Sequence, residues 1–137
     1  MAAELADTQA RGPAMSELFE LRRSYHFEAA HHLPLTPEVH RCRRMHGHSY
    51  EVELRVVGPL DETAGWVVDF AEIDDAFAPV RDELDHRLLN DIDGLENPTS
   101  EMLARWLWQR LVRQLPGLSA IVVRETPRSA CLYRGPA

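Results

Sequence analysis

From Phe19 the odd-numbered positions are largely apolar, running Phe19, Leu21, Tyr25, Phe27 and Ala29, with Arg23 as the break. Alternation with period two marks a strand that buries one face. A cleaner copy follows, in which Tyr50, Val52, Leu54 and Val56 alternate with Glu51, Glu53 and Arg55 before Gly58-Pro59 ends the run. Residues 32–45, with Pro34, Pro37 and a cluster of charge, read as loop. Trp66-Val67-Val68 reads as a short extended piece. Asp69 then suits a helix N-cap, and Glu72 three residues on resembles a capping box. Phe70, Ile73, Phe77 and Leu84 repeat at helical spacing, although Pro79 inside that helix should kink it or cost a hydrogen bond. After a polar, turn-rich stretch at 90–98, a second helix begins near Thr99. Leu103, Trp106, Leu107, Leu111 and Leu115 lie on one side of it, and Pro116-Gly117 stops it. Two further strands fall around 119–126 and 130–135.

The order strand, strand, helix, helix, strand, strand predicts an α+β fold. Its expected core is a four-stranded antiparallel sheet with the helices set apart from the strands. Such a sheet leaves two edges exposed, which oligomerisation would cover. At 137 residues the chain accommodates one core. Residues 1–16 are small and polar without periodicity, so they are expected to form a disordered extension, with residues 17–137 as the single domain.

The strand parity also carries chemistry. Extended backwards from Tyr50 it reaches His48 and His46, and extended forwards from Ala29 it reaches His31. Residues i and i+2 of a strand point to the same side. Pairing of the two strands would therefore aim three imidazoles at one point. Three histidines with an open fourth position are the pattern of a catalytic zinc site. His32 competes with His31 as the third ligand, but parity turns it to the opposite face.

Composition narrows the function. The 45% hydrophobic and 27% charged content is that of an ordinary globule. No apolar run is long enough to cross a bilayer, and the N-terminus lacks the basic-then-apolar order of a signal peptide. A cytosolic location is expected. Cys42 and Cys131 are too few for a disulfide framework and are expected as free thiols. A formal net charge of −7 argues against general nucleic-acid binding, yet leaves room for a small anionic substrate on a local arginine cluster. All 15 basic residues are arginine. The absence of lysine excludes Schiff-base chemistry and a Walker-type phosphate loop.

Other residues could act beside the histidines. Cys42 lies among Arg41, Arg43 and Arg44, and cationic neighbours favour a thiolate, although a free cysteine can equally be a small buried hydrophobe. The arginines themselves suit either a phosphate or a solvated surface. Asp85 could orient His86 for proton transfer, or His86 could simply favour a helix C-terminus. Glu125 ends the apolar face of Ile121 and Val123. There it could grip a guanidine-like edge through two parallel hydrogen bonds, or pair with an arginine. Glu101 suits a helix N-terminus, and Cys131 and the tryptophans suit packing.

Taken in order, Phe27-Glu-Ala-Ala-His31, Cys42-x-x-x-His46-Gly-His48, Gly65-Trp-Val-Val-Asp69-Phe70, Leu84-Asp-His86-x-x-Leu-Asn90, Pro98-Thr-Ser-Glu101 and Glu125-Thr126 form a recognisable series. This series resembles the 6-pyruvoyl-tetrahydropterin synthase family, and within it the bacterial members that act in queuosine biosynthesis. The resemblance implies a tunnelling fold (T-fold), with two helices on one sheet face. It also implies subunits joined into a trimeric barrel, two trimers stacked as a homo-hexamer, and active sites between subunits. By the same resemblance His31, His46 and His48 match zinc ligands. Cys42 matches a catalytic thiol, Asp85 and His86 an acid/base pair, and Glu125 with Thr126 the site that anchors a pterin. The implied substrate is 7,8-dihydroneopterin triphosphate, converted to 6-carboxytetrahydropterin, acetaldehyde and triphosphate without a nicotinamide cofactor, nucleic acid or membrane.

Overall fold

The apolar row of the second predicted strand is the floor of the core. Tyr50, Val52 and Leu54 are fully buried in the computed structural model, which describes residues 17–137. The expected extension at residues 1–16 lies outside the described residues. Strand β1 (Phe19–His31) pairs antiparallel with β2 (His46–Gly58) in unbroken register, from Phe19 opposite Gly58 to His31 opposite His46. Helix α1 (Phe70–Leu84) follows, then a two-residue strand β3 (Arg87–Leu88), helix α2 (Ser100–Leu111), β4 (Leu118–Thr126) and β5 (Ser129–Tyr133).

The α+β class is as expected, and the four long strands pair antiparallel with one another, but the sheet has five strands in the order β3-β1-β2-β4-β5. It is mixed, because β3 pairs parallel with β1 at Ala29–Arg87 and Ala30–Leu88. Two residues are too short to show any periodicity, so β3 has no sequence signal of its own. Trp66-Val67-Val68 is likewise not a strand; only Trp66 forms a bridge, to Asp61.

Both helices pack on the sheet face that carries Phe27, Tyr50, Val52, Leu54, Ile121 and Val123. From α1 this core receives Ile73, Ala76, Phe77, Val80 and Leu84; from α2 it receives Leu103, Ala104, Trp106, Leu107 and Leu111. Burial of each large apolar side chain favours folding by about 1.5–3 kcal/mol. Phe70, counted on the apolar stripe of α1, is instead 42% exposed, with the Arg23 guanidinium over its ring. Asp69 caps α1 by accepting from the Ala71 N–H (2.9 Å), and Thr99 caps α2 by accepting from the Met102 N–H (3.2 Å). Pro79 is held within α1, where it and Asp75 face solvent, so the carbonyl that Pro79 cannot satisfy remains open to water.

Arg23, the break in the β1 pattern, has a structural partner. Its Nε and Nη2 each donate to Asp74 of α1 at 2.9 Å, and the Tyr25 hydroxyl donates to the same carboxylate at 2.6 Å. These hydrogen bonds hold the Asp74 carboxyl below its ordinary value of 3.8. The stabilisation is therefore present above that value and is lost as pH falls through the depressed one. Asp74→Asn should lower the melting temperature at about pH 6, and the gap from wild type should be smaller at about pH 3. A gap of equal size at both ends would contradict this role.

Candidate metal centre

The core row of the sheet does not end at Tyr50. Phe27 and Tyr50 stack as opposed residues of β1 and β2, with ring centroids 4.9 Å apart. Immediately beyond this aromatic layer, on the same face, lie His31, His46 and His48. Each offers a ring nitrogen, and these atoms all fall within 4.8 Å of one another. Parity thus brings together the three residues it was expected to. His32 sits outside the group, its backbone N–H and C=O both bonded to the Asn90 side chain at 3.0 and 2.9 Å.

The proton positions follow from the partners. His31 Nδ1 lies 2.9 Å from the Pro98 carbonyl, and His46 Nδ1 lies 2.8 Å from the Arg44 carbonyl. A carbonyl only accepts, so both Nδ1 atoms carry hydrogen, and in neutral rings both Nε2 atoms are bare lone pairs. Those two Nε2 atoms face each other at 2.9 Å. Two lone pairs at that distance repel unless a cation sits with them. His48 Nε2 is buried with no hydrogen-bond partner, the Glu125 carboxylate being 3.8 Å away. A buried, orphaned imidazole nitrogen is costly. A divalent ion answers both problems, so the three residues fit a metal. Burial lowers the basicity of His31 and of His48, against the opposing influence of Glu125, and so favours the neutral rings that bind metals. Among the described residues no fourth histidine, cysteine or carboxylate joins the group.

The trio opens into a cavity of about 650 Å³ whose walls include Cys42, Arg41, Arg44, Met45 and Glu125. Cys42 reaches it from a single 3-10 turn, Arg41–Arg43, in the loop between β1 and β2. Its N–H donates to His40 Nδ1 (3.1 Å) and its carbonyl accepts from the Leu33 N–H (2.8 Å), which closes the base of the loop. Glu125 is delivered by a bulge. Val123 pairs with Cys131 and Thr126 with Ser129, so two residues of β4 oppose one of β5. Such bulges re-aim a side chain. Thr126 borders the same cavity, but its hydroxyl lies 3.0 Å from that of Ser129 and accepts from the Arg128 N–H, ties that shape the hairpin.

Asp85 and His86 lie elsewhere. Asp85 ends α1, accepts from the Glu28 N–H at 2.9 Å and sits 3.1 Å from His86 Nδ1. The Glu28 hydrogen bond, more than His86, holds its carboxyl below the ordinary value. The His86 side chain is 77% exposed, on a backbone with φ 59°. It lines a second cavity, with Glu28, Ser49 and Arg87, that shares His48 with the first, and it is not among the residues around Cys42 in the same chain. The Pro98 carbonyl and the Tyr50 hydroxyl (3.1 Å from His31 Nδ1) hold His31, and Asn90 anchors the neighbouring His32 backbone, roles the amino-acid pattern did not announce. Only Tyr50, two residues from His48 on the same parity, carried a signal that could have found it.

This fold has known relatives. Residues 20–136 match the 6-pyruvoyl tetrahydropterin synthase family model, and the chain is a member of that family. It is 40% identical to 6-carboxy-5,6,7,8-tetrahydropterin synthase of Synechocystis, over 83% of this chain and 92% of the relative. Against the Bacillus subtilis protein of the same name the identity is 33%, over 85% of each. Among solved structures, 6-pyruvoyl tetrahydropterin synthase of Caenorhabditis elegans superposes with a TM-score of 0.81 at 26% identity, covering 88% of this chain and 97% of that one. The tunnelling fold is thereby established for the chain.

If the orphaned His48 nitrogen exists to meet an ion, its removal should matter only when the ion is present. Wild-type protein should melt about 10 °C higher with a saturating divalent ion than with chelator. His48→Ala should show almost none of that gain while matching wild type in chelator. An equal gain in both proteins would mean the trio is not the binding site.

Proposed function

We propose that the chain is a zinc-dependent carbon–carbon lyase, a 6-carboxy-5,6,7,8-tetrahydropterin synthase. It would convert 7,8-dihydroneopterin triphosphate and water to 6-carboxy-5,6,7,8-tetrahydropterin, acetaldehyde and triphosphate. The observation that carries this reading is one cavity holding a three-histidine cluster, a thiol and a carboxylate. The names of the Synechocystis and Bacillus subtilis relatives support the choice of product. In this reading the enzyme is cytoplasmic and serves queuosine biosynthesis. No helix among the described residues is long and apolar enough to cross a membrane.

Each residue then has a role. Glu125 accepts two N–H groups from the amino-pyrimidinone edge and sets the ring's position. His31, His46 and His48 hold the zinc through nitrogen, which suits zinc among the common divalent ions. When bound, zinc supplies Lewis acidity that makes the side-chain hydroxyls of the substrate easier to deprotonate. Cys42, on the wall of the same cavity, moves a proton at the side-chain carbons. His86, oriented by Asp85, is the second proton carrier. Because that pair lies outside the Cys42 cavity of its own chain, a second copy supplies it, in keeping with a homo-hexamer of two stacked trimers. Lysine is absent, so no Schiff base assists the bond cleavage.

Incubation with 7,8-dihydroneopterin triphosphate and mass spectrometry should yield the 6-carboxy product with acetaldehyde. A pyruvoyl product without acetaldehyde would place the chain with the synthases that only eliminate triphosphate. Cys42→Ala and His86→Ala should each lower kcat by about a hundredfold or more. Full turnover in both variants would defeat the catalytic assignment. For Glu125→Ala the expected change is a raised KM.

A further inference from the structure

The three arginines that flank Cys42 in the β1–β2 loop, Arg41, Arg43 and Arg44, are not equivalent. Arg43 is spent on the fold, since its guanidinium donates to the Thr36 carbonyl at 2.6 Å, across the loop that Thr36 itself ties to Leu33. The Arg41 and Arg44 side chains have no hydrogen-bond or ion-pair partner among the described residues, and both line the cavity of the histidine trio. Their backbones are nonetheless fixed. Arg44 donates its N–H to the Arg41 carbonyl (3.1 Å) and accepts from His46 at its own carbonyl (2.8 Å). Two guanidinium groups with no partner among the described residues are thus mounted on a braced turn that is hydrogen-bonded to His46.

The charge around them is lopsided. The protein as a whole carries −7. Yet the ionisable side chains around this cavity, besides Cys42, are Arg41, Arg44, the three histidines and the single carboxylate Glu125. With a divalent ion on the histidines, cationic charge outweighs that carboxylate. Like-charged walls focus an anion into a cleft, and guanidinium forks match phosphate oxygens.

We infer that Arg41 and Arg44 form a polyphosphate subsite, while Arg43 does not. This rests on the proposed function for the order in which the ligand lies. In dihydroneopterin triphosphate the ring, the hydroxylated side chain and the phosphates follow one another in a line. With the ring edge at Glu125 and the side chain at the histidine cluster, the phosphates fall to the remaining wall. Its cationic side chains are Arg41 and Arg44. The subsite therefore recognises a chain of phosphates independently of the pterin.

Calorimetric titration of inorganic triphosphate into the zinc-loaded protein, in a zinc buffer that keeps the site filled, tests this directly. Arg41→Gln and Arg44→Gln should each weaken triphosphate binding about tenfold. The affinity for unphosphorylated 7,8-dihydroneopterin should be almost unchanged in both. Arg43→Gln should lower the melting temperature and leave triphosphate affinity near that of wild type. No triphosphate binding by wild type, unchanged affinity in both variants, or equal loss of triphosphate and dihydroneopterin binding would each overturn the subsite. Arginine-dependent triphosphate binding without turnover of the pterin would keep the subsite and defeat the functional reading. Turnover with arginine-independent binding would do the reverse.

Discussion

The pairing of β1 with β2 is the constraint on which the rest depends. It sets His31 directly opposite His46 and Ala29 opposite His48. A slip of one residue would turn every side chain of one strand to the other face and scatter the imidazoles. The register is enforced from below, because the same parity buries Phe27, Tyr50, Val52, Leu54 and Val56. The histidine cluster is therefore the polar end of the hydrophobic core, and core burial holds it in place.

Rigidity of the site comes from its neighbours as much as from its ligands. Two backbone carbonyls, from Pro98 and Arg44, fix the tautomers of His31 and His46. Hydrogen bonds of this kind orient metal ligands and tune their basicity. They come from segments far apart in the chain, the turn before α2 and the loop before β2. A loop residue that orients a ligand, Arg44, presents its side chain to the same cavity. In this way one short turn supports the ligands, the Cys42 thiol and the proposed phosphate arginines together.

Much of this was legible in the amino-acid pattern, and for a physical reason. Strands that bury one face write that fact as strict alternation, and β2 does so from His46 to Val56. The N-cap of α1, Asp69, was marked by its residue type and by Glu72 three residues on, and the start of α2 near Thr99 by its apolar spacing. The misses share a cause as well. The two-residue β3 is stabilised wholly by β1, so no local pattern encodes it. Phe70 has helical spacing, yet it lies at the first turn, beyond the sheet's cover, where Arg23 shields it. The bulge that aims Glu125 depends on β5, which parity along β4 alone cannot report. Likewise Asp85 and His86 were readable as a pair, but their separation from the Cys42 cavity is a property of the assembled sheet.

In the proposed enzyme three imidazole nitrogens share one divalent ion and leave a coordination position free. Anomalous diffraction from crystals of zinc-loaded protein, recorded at the zinc edge, tests it most directly. One peak per chain is predicted, about 2.0–2.1 Å from Nε2 of His31, His46 and His48, with no further protein ligand. A peak elsewhere, or a fourth protein side chain closing the coordination sphere, would contradict the account.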